Sequence, residues 1–170
     1  MKKKIAMFIA AMMLSLASHA QFEADKAYLG ASLSGFDLSY SGLTKGRFGI
    51  QGKAGYLVSD DLMVTGQLSY DKQEDEPYTM TLGAGGRYYI EQNGIYLGAS
   101  AVYKHRIGYN DLMPSVQIGY AFFISHTVTI EPELYYEQSF KNHKDYSQVG
   151  LRIGIGIYLF KDALDNLKLK

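Results

Sequence analysis

Ser147 to Phe160 reads SQVGLRIGIGIYLF, and the fold turns on how that stretch is read. Val149, Leu151, Ile153, Ile155, Ile157 and Leu159 alternate with Gln148, Gly150, Arg152, Gly154, Gly156 and Tyr158. Successive side chains on a strand point to opposite faces, so one face is continuous apolar surface and the other is polar or tiny. Which solvent the apolar face meets separates a membrane barrel from a water-soluble one.

Seven earlier segments repeat the period: Ala27–Ser39, Arg47–Val58, Leu62–Asp71, Tyr78–Glu91, Ile95–Ile107, Ser115–Ile124 and Val128–Phe140. In the first, the apolar parity switches after Gly35, which predicts a β-bulge there. Pro132 interrupts the seventh, where a ladder N–H is lost, and predicts a second local bulge near the periplasmic rim. Ser59-Asp60-Asp61, Gln92-Asn93-Gly94 and Ser125-His126-Thr127 read as tight hairpin turns. Tyr40–Gly46, Lys72–Pro77, Gly108–Met113 and Lys141–Tyr146 read as longer, polar loops. Short turns on one rim and longer loops on the other fit the outer-membrane layout, with both termini periplasmic and the loops outside the cell.

Residues 1–20 read as a signal peptide: Lys2 to Lys4 form a basic start, Ile5 to Leu16 an apolar core, and Ser18-His19-Ala20 a small-x-small cleavage site. The mature chain then starts at Gln21. Of the 17 basic and 17 acidic residues, three lysines leave with the peptide, so the remainder carries about −3 at neutral pH. That balance gives no reason to expect nucleic acid as a partner. The chain contains no Cys, which excludes a disulfide framework, a thiolate metal site and a lipoprotein anchor. No later stretch is long and apolar enough for a spanning helix, so the only spanning option is a closed β-barrel with every backbone group paired.

A soluble calyx also alternates, with its apolar face turned inward. Three features favour the opposite sense. The polar face is rich in Gly, Ser and Ala, which suit a crowded interior. Its charges are mixed, with Lys53, Arg87, Lys104, Arg106 and Arg152 against Glu131, Glu133 and Glu137, so they can pair across a narrow lumen. Aromatics on the apolar face sit at segment ends, at Phe48, Tyr56, Tyr70, Tyr78, Tyr88, Tyr103 and Phe140, as the two girdles of a membrane barrel do. The expected fold is therefore all-β: an eight-stranded antiparallel transmembrane up-and-down barrel over residues 21–160, followed by a short periplasmic tail, 161–170.

The signal peptide, the eight alternating segments and the Gly-rich last strand ending Tyr158-Leu159-Phe160 resemble the small outer-membrane barrels of the OmpA/OmpX type. Ile130-Glu131-Pro132-Glu133-Leu134-Tyr135-Tyr136 is similar to a strand motif of porin-like outer-membrane barrels of Bacteroidetes. The resemblance implies a place in the cell outer membrane, among outer-membrane lipid and lipopolysaccharide. It also implies escort by periplasmic chaperones and insertion by the barrel-assembly machinery, with Tyr158 and Phe160 as insertion signal. Many relatives end on the final aromatic, whereas here Lys161 to Lys170 follows; the tail is too short for a wall-binding domain.

Chemistry is sparse. Lys53, Arg87, Lys104, Glu131, Glu133, Glu137 and Arg152 are expected to form a structural ion-pair network, with Glu133 or Glu137 on Arg152. A catalytic pair among the glutamates is the alternative. His105 has lipid-facing parity high on the fifth segment, where a lipid-A-modifying enzyme would need a serine on the same face; position 107 is Ile. His126 and His143 have no nucleophile or metal partner in sequence. No catalytic residue, metal or cofactor is expected. Eight strands leave an interior that side chains fill, which argues against a diffusion pore. The function expected is a structural or surface-interacting barrel; the alternatives are a lipid-modifying barrel enzyme and a secreted soluble barrel binding an apolar ligand. Oligomeric state is not encoded in these patterns.

Overall fold

The computed structural model describes residues 22–39, 42–43, 48–72, 78–90 and 93–159. The expected signal peptide, the acidic stretch after Lys72, Phe160 and the tail lie outside the described residues. Eight long strands carry the fold: β1 (Ala27–Ser39), β2 (Phe48–Ser59), β3 (Leu62–Lys72), β4 (Thr79–Tyr89), β5 (Ile95–Arg106), β6 (Tyr109–Tyr120), β7 (Val128–Glu137) and β8 (Gln148–Leu159). Each pairs antiparallel with its neighbours in chain order. The ring closes where β8 pairs with β1, from Ala27↔Leu159 to Ser39↔Gln148. Closure leaves no unpaired edge, which is the condition for crossing lipid with strands.

Burial alternates with the sequence. Along β3 every second residue from Met63 to Asp71 is buried, while Leu62, Val64, Gly66, Leu68 and Tyr70 are exposed. On β8 the Leu151, Ile153, Ile155 and Ile157 side chains stand exposed at 41–59%, while Arg152 and Tyr158 are buried. The apolar wall faces outward and the polar face fills the lumen. That arrangement overturns the soluble-calyx alternative, in which the greasy face would line the interior.

The ladder between β1 and β8 shifts register between Ser34 and Phe36, which places the bulge at Gly35. Pro132 causes no such shift. β7 keeps one continuous register with β8 through Ile153↔Pro132. On its other side the ladder with β6 stops at Gly119↔Glu133 and resumes, in the same register, at Phe122↔Ile130 in a two-residue piece, Phe122–Phe123. A missing N–H breaks bonds without inserting a residue, so the ladder has a gap there and the expected bulge is absent.

The sixth strand begins well before the position expected. Gly108 takes φ +79, and Ile107-Gly108 is a two-residue turn. β6 then runs from Tyr109, with Arg106↔Tyr109 as its first pair. The loop expected over Gly108–Met113 is thus mostly strand, and Asn110-Asp111, which reads as turn chemistry, lies in the ladder. At the same rim, Lys141–Tyr146 contains a four-residue helix, α1 (His143–Tyr146).

Candidate functional site

The lumen is built in layers from the inward residues of all eight strands. The lowest layer closes the rim where the described chain begins. Phe22 stacks on Tyr89 with ring centroids 3.9 Å apart and meets Tyr158 edge-on at 5.6 Å. Tyr28, Leu57, Met63, Tyr96 and Ala121 complete this aromatic floor. Backbone bonds hold residues 22–26 in place: Asp61 N–H donates to Phe22 O at 2.9 Å and Asp25 N–H to Leu57 O at 3.0 Å. Asp61 itself sits in the turn at φ +65. Burial, and then the neighbouring Asp60 carboxylate, raise its carboxyl above the usual range.

The charged layer lies directly above. Glu133 gathers three cations: Lys53 Nζ at 3.2 Å and Arg87 Nη2 at 2.9 Å on Oε2, and Arg152 Nη1 at 2.6 Å on Oε1. Tyr96 O–H adds a bond to Oε2 at 3.0 Å. Glu131 Oε2 accepts from Arg87 Nη1 at 2.8 Å and Tyr28 O–H at 2.8 Å. Its Oε1 accepts from Thr129 Oγ1 at 2.9 Å and Tyr158 O–H at 3.3 Å. The Arg87 guanidinium lies 4.1 Å from the Tyr96 ring centroid, and that of Arg152 lies 4.0 Å from the Tyr135 ring. Both arginines are therefore held by carboxylate and ring together, the arrangement a planar, weakly hydrated cation accepts best.

Small residues make this possible. A Cβ on Gly119 would stand 2.3 Å from Tyr96 Cζ, and one on Gly156 would stand 2.5 Å from Glu131 Oε1. The glycines of the inward face are the space that the aromatic and charged side chains occupy.

One step higher, Lys104 Nζ donates to Glu137 Oε2 at 3.1 Å and Gln148 Nε2 donates to the same oxygen at 2.9 Å. At the far rim Asp111 Oδ2 accepts from Tyr109 O–H at 2.7 Å and Ser139 Oγ at 2.7 Å, and the Tyr109 and Tyr146 rings stack at 3.8 Å. Arg106 is half-buried at that end. Within the described residues the lower mouth is closed by packed side chains, and at the far rim Tyr109, Asp111, Ser139 and Tyr146 pack together on the β6–β7 side.

The sequence-derived charge set thus meets in two groups: Lys53, Arg87, Glu131, Glu133 and Arg152 in one, Lys104 and Glu137 in the other. Asp111 was missed because its segment read as a loop; on a strand its parity places it inward. Tyr28, Tyr89, Tyr96, Tyr135 and Tyr158 also belong to the lumen, and their shared parity with the charges was the available signal. Tyr158, expected as part of an insertion signal, is fully buried in the aromatic floor.

The aromatics proposed for girdles, Phe48, Tyr56, Tyr70, Tyr78, Tyr88, Tyr103 and Phe140, all stand exposed on the outer wall. Tyr56 and Tyr88 lie toward the lower rim and the other five toward the far rim, where Tyr70 and Tyr78 stack at 5.9 Å. His105 is exposed beside Asn110, whose Oδ1 meets its Nδ1, with Met80 as its other cross-strand neighbour. No serine is adjacent there. His143 does find a hydroxyl: one helical turn brings Ser147 Oγ to 2.7 Å from His143 Nδ1. That Ser147 oxygen also accepts the Ser139 N–H at 2.9 Å and is buried. His143, expected to have no nucleophile partner in sequence, thus has the Ser147 hydroxyl within hydrogen-bonding reach.

A closed antiparallel ring with an apolar outer wall and a filled polar interior defines the class of transmembrane β-barrels. The profile of the outer membrane protein beta-barrel domain matches residues 6–164, and the chain belongs to that family, whose place is the outer membrane. No curated protein sequence matches it. The N-terminal β-barrel domain of Pseudomonas aeruginosa OprF superposes with a TM-score of 0.57 at 13% identity, covering 80% of this chain and 98% of that one. Neisserial surface protein A gives 0.53 at 18% identity, with 78% and 95% covered. A de novo designed transmembrane β-barrel gives 0.54 at 14% identity, with 81% and 98% covered. At these identities the likeness is one of fold.

Proposed function

We propose that this protein is a non-catalytic outer-membrane barrel that works through its wall and its far-rim surface, with a lumen that serves stability rather than transport. The observation that supports this reading best is the interlocked charged layer above a complete aromatic floor. A barrel of eight strands has room only for its own side chains, and here they bond to one another. The near rim, with its short turns, faces the periplasm, and the far rim with Lys141 and α1 faces outward, among outer-membrane lipid and lipopolysaccharide. Periplasmic chaperones and the barrel-assembly machinery are the expected partners during insertion.

Planar-bilayer recording tests the reading: the purified barrel should give no conductance approaching that of a large porin, and porin-like currents would contradict it. The alternative, a lipid-modifying enzyme, draws on the His143–Ser147 contact, but a buried oxygen cannot reach a lipid ester. Mass spectrometry of lipid A from cells with and without the protein should show identical species. A protein-dependent change in acylation would favour the enzyme.

A further inference from the structure

We propose that a polar patch on the outer wall of the far rim, formed by His105, Asn110 and Lys141, docks the phosphorylated head of an outer-leaflet glycolipid, the far rim being the outward one as read above. His105 and Asn110 face each other across the β5–β6 ladder, and Asn110 Oδ1 meets His105 Nδ1. Lys141, beyond the end of β7, reaches over to donate its Nζ to the Asn110 carbonyl oxygen. All three residues are exposed. With its oxygen turned to the imidazole, the Asn110 amide presents two N–H donors, and Lys141 has two of its three left. Convergent donors around one positive charge suit the oxygens of a phosphate.

Depth is the second argument. Tyr103 and Leu112, the next pair down on the same face, are exposed at 46% and 60%, and Phe140 beside Lys141 at 75%. Two residues along a strand span about 7 Å, so the patch lies one short step beyond this apolar shelf. Above it there is only the two-residue turn Ile107-Gly108, with Ile107 itself exposed, so this part of the rim stays close to the bilayer interface. Apolar side chains below and a cation above match an acyl chain and its anionic head.

Charge is the third. Among the described residues the exposed acidic side chains, Glu23, Asp25 and Asp60, all stand on the near rim, and the exposed basic ones, Lys72, Lys141 and Lys144, all on the far rim. Asp111, next to the patch in sequence, is buried on the lumen side and accepts from Tyr109 and Ser139. Asp145 stands on α1 next to Lys144 in sequence. The acidic run Glu74-Asp75-Glu76 belongs to the connection between β3 and β4, outside the described residues.

Native mass spectrometry of the detergent-solubilised barrel, titrated with bisphosphorylated lipid A and with the same lipid stripped of both phosphates, tests the site. The phosphorylated lipid should bind about tenfold more tightly, the factor expected for one hydrogen bond to a charged group. Lys141→Gln should lower that affinity by a similar factor. Lys72→Gln, which removes one positive charge elsewhere on the same rim, should leave it unchanged. Equal affinities for the two lipids overturn the proposal, as does an equal loss in Lys72→Gln. The wild-type comparison decides the question even if Lys141→Gln does not fold. Orientation is read separately: the chain has no Cys, so Lys144→Cys should react with an impermeant maleimide on intact cells as fully as on lysed ones. Labelling on intact cells without a phosphate preference removes the docking site alone. Labelling only after lysis refutes the outward far rim, and the proposal with it.

Discussion

Replacing Glu133 by Gln probes the charged layer at its most connected atom pair. The substitution keeps the side-chain shape but removes the charge shared by Lys53, Arg87 and Arg152 at 3.2, 2.9 and 2.6 Å. It also turns one acceptor oxygen into an NH2 that faces donors. Removing one partner of a buried ion pair costs about 3–5 kcal/mol, and because Lys53 and Arg152 both lose their bonded carboxylate the upper end is expected. Glu137→Gln is the matched comparison: Glu137 Oε2 is bonded to one buried cation, Lys104, and to Gln148, so the loss should lie at the lower end of the same range, about 3 kcal/mol. Urea unfolding in lipid vesicles, followed by the gel-mobility shift between folded and unfolded barrel, reads both. Pairing Glu133→Gln with Lys53→Met should recover part of the loss, with a coupling of about 0.5–3 kcal/mol. If Glu133→Gln stays within about 1 kcal/mol of wild type, the layer does not hold the fold as argued.

Three further outcomes follow from the same geometry. Phe22→Ala should lower stability by about 3–5 kcal/mol if its stack on Tyr89 is a true part of the core, and a surface-like loss below about 0.5 kcal/mol in the same urea assay would contradict that. Gly85→Ala should destabilise the barrel, because a Cβ there would lie 2.2 Å from the Ala99 carbonyl oxygen, whereas Gly66→Ala, with nothing within 4 Å, should be neutral. Equal effects of the two would show that the inward face is not tightly filled. Ile153→Arg, at mid-strand on the outer wall, should cost about 2–4 kcal/mol in bilayers and far less in short-chain detergent; insensitivity to the bilayer would argue that this wall does not face lipid.

Much of the architecture was legible from Ser147 to Phe160 outward, because strict alternation of Ile with Gly or a polar residue reads as barrel strand, and the small and mixed-charge polar face together with the aromatics at segment ends turned the apolar face outward. The parity switch at Gly35 likewise announced its bulge. The misreadings share a cause. Asn110, Asp111 and Pro114 carry turn and breaker chemistry, yet ladder pairing on both sides overrides those local preferences, and Pro114 O still accepts the Gln138 N–H at 2.9 Å. Pro132 was tolerated for a similar reason: its neighbour β6 tolerates a two-pair gap. The charged residues of the site were visible by parity, but who meets whom across the lumen depends on barrel closure and on the glycine-made space, which no linear spacing encodes. Phe22 lies outside any alternating segment, so its role as a floor for the barrel had no local signal at all.

The central claim is that the odd-numbered residues of β8 meet lipid and the even-numbered ones meet the filled lumen. Nitroxide labels placed singly from Gly150 to Ile157 in the reconstituted barrel measure this directly through collision with oxygen and with a water-soluble nickel chelate. The account predicts period-two alternation, with Leu151, Ile153, Ile155 and Ile157 open to oxygen and shielded from nickel. Nickel access at those four positions, or no alternation along the strand, would contradict it.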